Sequence, residues 1–435
     1  MKQGGCCSAA SPRSRARLAA CCSRGSAVVL ALLVSGSAGT LFENKRDGRP
    51  VKLDSAEFLP DDIVPTVDIS PLVAPGNFSR SQRMRTAIEL ERACSLSGFF
   101  IVKGHGVPES MREAMVEGAR SFSSLPLAER LEAAPVAFNN KSTWRYRGYF
   151  PSSVNGKDGM DMANPKFEDE ADAGTTPALR APWDRWPPAA MFSEPTPWPR
   201  AAKPAAHAAA DAMEVSTINP KLARWRDDAR AYWFRMQNLG QALLRGLALA
   251  LGEDEQFFDR RLWPHGRGMS TLRMNHYPHF TDVEALGHDG TNSHAEGLSC
   301  EDHVDNALLT LLFAFPNITG LQVSAPLTRT RHNGERPSTW VNVPVVDGGY
   351  VVNVGGGLQR ILNNHFRATR HRVVYSPWER ISIPFFLEAE FDASLACAPA
   401  SVAPGEDCEY EPIAYGPYIH AKNKLFQEYK GRVEE

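Results

Sequence analysis

Between residues 268 and 390 the chain is cut into short β-rich runs, and that texture restricts the fold more than any other feature of the sequence. Leu308 to Phe315, Gly320 to Val323, Tyr350 to Val354, His371 to Tyr375 and Ile381 to Leu387 are each bounded by Pro, Gly, Asn or Asp. Runs of aliphatic and aromatic residues punctuated by turn formers read as strands, and several at this spacing predict a sandwich or a barrel. No repeat of fixed period and no sustained heptad pattern offers a solenoid or a coiled coil instead.

The preceding half has a different texture. Ile63-Val-Pro-Thr-Val-Asp-Ile-Ser reads as a short strand and a turn. Residues 81–97 place Met84, Ala87, Ile88 and Cys94 at helical spacing before Gly98 stops the helix and Phe99-Phe-Ile-Val starts a strand. A second helical stretch covers 108–134, broken at Leu125-Pro126, and a third runs from Trp225 to about Leu251 with Tyr232, Met236, Leu239, Leu243 and Leu247 on one stripe. Such a stripe is the buried face of a core helix. Residues 135–200 show no period and read as loops packed by aromatic side chains. The expected class is therefore α+β and β-rich, with N-terminal helices around a β core. Its parts are a segment 1–42, a linker 43–62, a helical and loop region 63–267, the β core 268–390, and a C-terminal tail and helix 391–435. Although 435 residues would allow two or three domains, residues from 63 onward read as one unit, expected to act as a monomer.

With 48 Lys+Arg against 50 Asp+Glu there is no general basic field, which argues against nucleic acid as a partner. Residues before Glu43 contain no acid but carry Lys2, Arg13, Arg15, Arg17 and Arg24, then an apolar run from Ala27 to Val34 and small residues to Gly39. That order fits a cleaved secretory signal or an organelle transit peptide, an uncleaved anchor and a plain tail being the other readings. A chain without it would be cytoplasmic. The apolar run is shorter than the roughly 17–25 residues of a membrane span, so no stable span is expected. Asn77-Phe-Ser, Asn140-Lys-Ser and Asn317-Ile-Thr match the glycosylation sequon without settling the compartment. Cys397 and Cys408 bracket a Pro-containing loop, as a local disulfide or as two free thiols. No C-x-x-C pair supports a zinc ribbon or a thioredoxin-type site.

Phosphate binding has little to rest on, because the Gly-rich turns after Phe99-Phe-Ile-Val and Tyr350-Val-Val-Asn-Val lack the third glycine of a dinucleotide fingerprint and any G-K-[ST]. Metal binding has more. His303 and Asp305 lie at i and i+2 just before an apolar strand, a spacing that would put both on one strand face. A second pair, His294 and Glu296, sits in a Gly/Ser/Asn-rich loop that fixes no geometry. His371, 68 residues after His303, opens another β run and can supply a third ligand. Two imidazoles and a carboxylate on one face leave other positions open, which suits non-haem Fe(II), and the lack of a Cys ligand argues against structural zinc. Arg380 and Ser382 share a strand face nine residues on, where a guanidinium fork beside a hydroxyl suits a carboxylate.

Read in order, Val64-Pro-Thr-Val-Asp-Ile-Ser, Gly98-Phe-Phe-Ile-Val-Lys-Gly-His-Gly-Val, Arg273-Met-Asn-His-Tyr-Pro, Asp302-His-Val-Asp-Asn-Ala-Leu-Leu, Gly320-Leu-Gln-Val, Val351-Val-Asn-Val-Gly, Phe366-Arg-Ala-Thr-Arg-His-Arg-Val-Val and Arg380-Ile-Ser-Ile-Pro-Phe-Phe resemble the Fe(II)/2-oxoglutarate-dependent dioxygenases of the isopenicillin N synthase-like type. The resemblance covers roughly 63–390, with Pro412-Ile-Ala-Tyr-Gly-Pro-Tyr similar to the family's C-terminal segment. It implies a distorted double-stranded β-helix, or jelly roll, holding Fe(II) through His303, Asp305 and His371. It also implies 2-oxoglutarate bound by Arg380 and Ser382 with Asn275 and Tyr277 nearby, ascorbate as a candidate reductant, and molecular oxygen and a small molecule as the other reactants. His105 matches a structural position and is not an expected ligand.

The chain departs from the family pattern at Gly355-Gly356-Gly357, where Gly-Asp is usual, and at Leu362-Asn363-Asn364-His365. Residues 279–301 and Ser324 to Thr339 look long, and Arg329, Arg331, His332 and Arg336 in the second form a basic cluster best read as a solvated loop. Two other readings stay open: an iron oxidase that dispenses with 2-oxoglutarate, and a non-catalytic relative that binds a small acid or a partner.

Overall fold

A computed structural model describes residues 63–151, 157–172, 190–202, 219–278, 298–315, 320–326, 338–374, 378–402, 405–426 and 429, with two short strands at Phe42–Glu43 and Pro50–Val51. Nearly all of segment 1–42 and most of linker 43–62 lie outside the described residues, as do the His294 and Glu296 pair, the Asn317 sequon and the basic cluster.

Strands β1 (Thr66–Asp68), β2 (Phe99–Lys103), β3 (Gly148–Phe150), β4 (Asp158–Met162), β5 (Thr271–Tyr277), β6 (Leu298–His303), β7 (Leu309–Phe315), β8 (Leu321–Pro326), β9 (Ser338–Asn342), β10 (Tyr350–Val354), β11 (His371–Val374) and β12 (Arg380–Leu387) make two sheets. The larger has eight strands in the order β1-β2-β10-β7-β12-β5-β4-β3, and the smaller has four, β9-β8-β11-β6. All pairings are antiparallel except β1 with β2. The sheets meet where Phe99 and Ile101 of β2 pack with Val323, Val341 and Val343 in one apolar cluster.

β12 shows why both faces of the larger sheet are covered. Its odd-numbered residues Ile381, Ile383, Phe385 and Leu387 are buried in the main core. Phe385 meets Trp233 with ring centroids 5.6 Å apart, and Leu387 lies 2.9 Å from where a Cβ on Gly240 would stand. Trp233 and Gly240 belong to the long helix Pro220–Ala250, which Asn219 caps by accepting from the Lys221 N–H. This helix packs against Arg80–Leu96, opened by a capping box between Ser79 and Gln82, and against Glu109–Ser123. The even-numbered face of β12, Arg380 and Ser382, turns toward the space between the sheets.

The loop reading of 135–200 needs correction, because β3, β4 and the helix Pro165–Asp172 lie inside it. Every residue of β3 and β4 is buried, so neither strand carries the polar-apolar alternation by which a half-exposed strand is recognised. β4 pairs with β5 and widens the larger sheet.

After β12 the chain doubles back. Cys397 and Cys408 are joined by a disulfide with Cα atoms 6.1 Å apart. The helix Tyr415–Asn423 follows, and beyond it Tyr429 stacks on Tyr146 at 5.2 Å between ring centroids. Glu388 lies buried beneath this helix, accepting from Thr271 Oγ1 (2.9 Å) and Tyr415 Oη (3.2 Å). Burial pushes its carboxyl up to about 7 against the pull of Arg147. The native state then keeps a proton that the unfolded chain releases, so stability falls as pH rises from the ordinary carboxylate range through about 7. The urea midpoint should drop between about pH 5 and about pH 8, and Glu388→Gln, isosteric with the protonated acid, should flatten that slope; an unchanged slope in the variant would place the effect elsewhere.

Candidate metal centre and carboxylate pocket

His303, Asp305 and His371 present one ligand atom each, all within 4.8 Å of one another. His371 lies directly opposite His303 in the ladder between β11 and β6. Both Nε2 atoms face Asp305 Oδ1, at 3.5 Å from His303 and 3.6 Å from His371. The expectation that His303 and Asp305 share a strand face is not met: His303 ends β6 and Asp305 lies beyond it. The carboxylate is aimed instead by hydrogen bonds to its other oxygen, Oδ2, from Thr310 Oγ1 (2.6 Å) and Asn353 Nδ2 (2.9 Å).

The imidazoles are oriented in the same manner. His303 Nδ1 donates to the Glu301 carbonyl at 2.8 Å and His371 Nδ1 to the Thr369 carbonyl at 3.1 Å, which turns each Nε2 toward Asp305. Burial, followed by the neighbouring His303, pulls His371 down to about 4, so its ring is neutral near pH 7. Burial raises the Asp305 carboxyl, but His371, His303 and Thr310 outweigh it and hold the group well below the ordinary carboxylate range. Burial pulls His303 down, but Cys300 and Asp305 outweigh it and raise that imidazole well above its ordinary value, so a metal would displace its proton. Two imidazole nitrogens and one carboxylate oxygen, converging from a buried face, fit a divalent iron with open positions. Asn353→Ala should lower metal affinity by roughly 10- to 100-fold, read by anaerobic Fe(II) titration, and undiminished affinity would deny Asn353 its aiming role.

The second predicted cluster also assembles. Arg380 stands opposite Tyr277 and Ser382 opposite Asn275 in the β12–β5 ladder. The Arg380 guanidinium lies 5.1 Å from the Tyr277 ring centroid, and Asn275 Nδ2 donates to Ser382 Oγ at 3.3 Å. Arg380 is buried, and among the described residues it makes no hydrogen bond or ion pair; its Nε and Asn275 Oδ1 are buried without partners. It lines a cavity of about 50 Å³ with Leu312, Ala314, Leu321 and Val351. A buried unpaired cation is costly, so the site calls for an anion, and the planar fork fits a carboxylate.

The glycine triplet has a local reason. Gly355, Gly356 and Gly357 wrap the backbone around Asp305: their N–H groups donate to the carbonyls of Leu308 (3.0 Å), Asp305 (2.8 Å) and Ala307 (3.1 Å). A Cβ on Gly355 would collide with the Ala307 carbonyl. Asn363 and Asn364 then turn the chain at φ of 47° and 65°, a region asparagine tolerates. His105 lies away from the triad, bonded to Gly348 O at 2.7 Å and edge-on to Tyr350.

Other residues near the triad were not singled out from the sequence. Thr310 and Asn353 left a signal, as lone polar residues within otherwise apolar strands. Cys300, with Sγ 3.8 Å from His303 Nδ1 on the same strand, Lys157, with Nζ 3.9 Å from that sulfur, and Phe426, its ring 6.1 Å from that of His303, left none; Lys157 and Phe426 are brought there from distant parts of the chain.

Comparison with known proteins agrees with this geometry. The family model described as non-haem dioxygenase in morphine synthesis N-terminal matches residues 64–201, and that of the 2OG-Fe(II) oxygenase superfamily matches 269–389. Isopenicillin N synthase of Amycolatopsis lactamdurans is 28% identical over 376 residues, 85% of this chain and 96% of that protein. A homoarginine-6-hydroxylase of Oryza sativa subsp. japonica is 28% identical over 373 residues, 82% and 96% of the two chains. Among solved structures, a full-length Neurospora crassa protein in complex with alpha-KG superimposes with a TM-score of 0.59 at 21% identity, over 84% of this chain and 97% of that one. The rice dioxygenase for auxin oxidation does so at 0.54 and 21%, over 82% and 94%. At such identity these structures establish the fold, a jelly roll flanked by helices. Fe(II) and 2-oxoglutarate are the metal and co-substrate of the superfamily that the second model describes. The chain is an oxidoreductase and belongs to the Fe(II)/2-oxoglutarate-dependent dioxygenase family, isopenicillin N synthase-like type.

Proposed function

We propose that this protein oxidises a small organic molecule, by hydroxylation, desaturation or ring closure, in a reaction that consumes 2-oxoglutarate and molecular oxygen. In this reading His303, Asp305 and His371 hold Fe(II), and Arg380 and Ser382 take the far carboxylate of 2-oxoglutarate, with Asn275 and Tyr277 beside it. The observation that carries it is the buried guanidinium of Arg380, which has no acidic partner among the described residues and lines a cavity between the two sheets. When bound, Fe(II) with 2-oxoglutarate and oxygen supplies an oxidant for an unactivated C–H bond, and the co-substrate leaves as succinate and carbon dioxide. The protein's part is positional: Thr310 and Asn353 aim the carboxylate ligand, backbone carbonyls fix the imidazoles, and apolar side chains around Arg380 exclude water.

A second reading rests on the isopenicillin N synthase relatives. In it the carboxylate docked at Arg380 belongs to the oxidised substrate itself and no 2-oxoglutarate is consumed. A turnover screen over amino acids, terpenoids, phenolics and peptides separates the two. Substrate-dependent succinate release supports the first, and product formed at full rate without 2-oxoglutarate overturns it.

The Cys397–Cys408 bond also supports an oxidising compartment reached through a cleaved N-terminal segment. Mass spectrometry of the non-reduced protein from its native cell tests both points.

A further inference from the structure

The Cys397–Cys408 disulfide reaches the metal centre through the turn Leu362-Asn363-Asn364-His365, where the sequence leaves the family pattern. The helix Gly356–Ile361 starts at Asp305, whose carbonyl accepts from the Gly356 N–H at 2.8 Å. It ends at the disulfide: the Ile361 carbonyl accepts from the Ala398 N–H at 2.7 Å, and Cys397 Sγ lies 3.8 Å from the Arg360 carbonyl oxygen. On the other side of the S–S bond, the Glu409 N–H donates to Asn363 Oδ1 at 2.9 Å, and the Arg360 guanidinium stands 4.8 Å from the Tyr410 ring centroid. Asn364 joins these contacts. Its Oδ1 accepts from Tyr410 Oη (2.6 Å) and Gln359 Nε2 (2.7 Å), and its Nδ2 donates to Glu409 Oε2 (2.6 Å). Gln359 Oε1 in turn accepts from the Ala368 N–H at 2.6 Å, one residue before Thr369, whose carbonyl orients His371.

Two of the three metal ligands therefore share supports that meet at Asn364, and the disulfide loop grips that residue through Glu409 and Tyr410. The grip is at the surface, where water competes for every group, so these hydrogen bonds last only while both ends are held in place. A cross-link between residues 11 apart in sequence holds them. Breaking it frees the loop without freeing the chain, because the Leu395 N–H still donates to the Ile413 carbonyl at 2.9 Å and Ser394 still pairs with Ala414. We infer that the thiol–disulfide state of Cys397 and Cys408 sets the affinity of the triad for Fe(II), the disulfide form binding more tightly, and that Asn364 is the positioning residue through which it acts. The inference rests on the reading of the triad as an iron site. In the switch a dithiol gives two electrons and two protons to the S–S bond; Cys397 and Cys408 become thiols, and the dithiol becomes a disulfide.

The test is an anaerobic calorimetric titration of the full chain with Fe(II), in the disulfide form and after reduction by a dithiol that is then removed. The reduced protein should bind Fe(II) about 10-fold more weakly, the lower end of the loss seen when a group supporting a metal ligand is removed. Its far-UV circular dichroism should be unchanged, and reoxidation should restore the affinity. Cys397→Ser with Cys408→Ser should match the reduced protein, which shows that free thiols do not themselves take the metal. Asn364→Ala should bind weakly in both states, since reduction then has no grip left to release. In the metal-free protein, hydrogen exchange at the Gly356 and Ala368 amides should quicken on reduction. Equal Fe(II) affinity in the two states of the unaltered protein overturns the inference, whether or not a variant folds. A loss on reduction as large in Asn364→Ala as in the unaltered protein overturns it too, because the effect then bypasses the turn. If the disulfide form binds no Fe(II) at all, the iron reading of the triad fails and the inference falls with it.

Discussion

Alanine at His303, Asp305 or His371 should abolish substrate-dependent succinate formation and Fe(II) binding together, well beyond the roughly 100-fold loss typical when a group behind a metal ligand is removed. Both histidines direct Nε2 at the single oxygen Asp305 Oδ1, so each deletion leaves two donors on a face that needs three. Asp305→Asn is the sharper experiment. Thr310 and Asn353 both donate to Oδ2, so an amide oxygen is drawn to them and the NH₂ group, which has no lone pair to offer, is turned toward the metal. Asn should therefore be nearly as damaging as Ala. Anaerobic Fe(II) titration together with succinate release checks this, and full turnover in any of these variants removes the triad from the mechanism.

Arg380→Gln should raise the KM for 2-oxoglutarate by at least about 30-fold, with much of kcat recovered at saturating co-substrate. Truncating one partner of a buried, hydrogen-bonded charge pair costs about 2–5 kcal/mol, and the lower figure corresponds to that factor. Arg380→Lys should fall between, because an ammonium keeps the charge but not the two parallel N–H donors. Ser382→Ala, losing one neutral hydrogen bond of about 1 kcal/mol, should raise KM roughly five-fold. Steady-state kinetics with 2-oxoglutarate varied decides the matter. A KM for 2-oxoglutarate unmoved by Arg380→Gln, with that for the oxidised substrate raised instead, would transfer this carboxylate pocket to the substrate.

How much of this was legible depended on whether the physics was local. Tyr350 to Val354 is a strand with the expected bounds, and the pairing of Arg380 with Ser382 on one face followed from strand geometry alone. His303 and His371 were recognisable by chemistry, yet what makes them neighbours is a ladder between β6 and β11 that no spacing encodes. Asp305 was identified for the wrong geometric reason, since it is placed by Thr310, Asn353 and the glycine triplet rather than by a strand face. β3 and β4 escaped because full burial erases alternation, and with β4 went Lys157, 143 residues from the cysteine it touches.

The ladder that sets His371 opposite His303 has a further consequence. A metal held there would bridge the two edge-side strands of the smaller sheet and clasp Asp305 to both, contacts that the unfolded chain cannot make. Its binding free energy then belongs to folding: at a free metal concentration about 100 times its Kd, linkage adds about 2.7 kcal/mol to stability. Iron supply would set the lifetime of the polypeptide as well as its turnover, and the melting temperature of the protein drawn from cells would record how much iron those cells could spare.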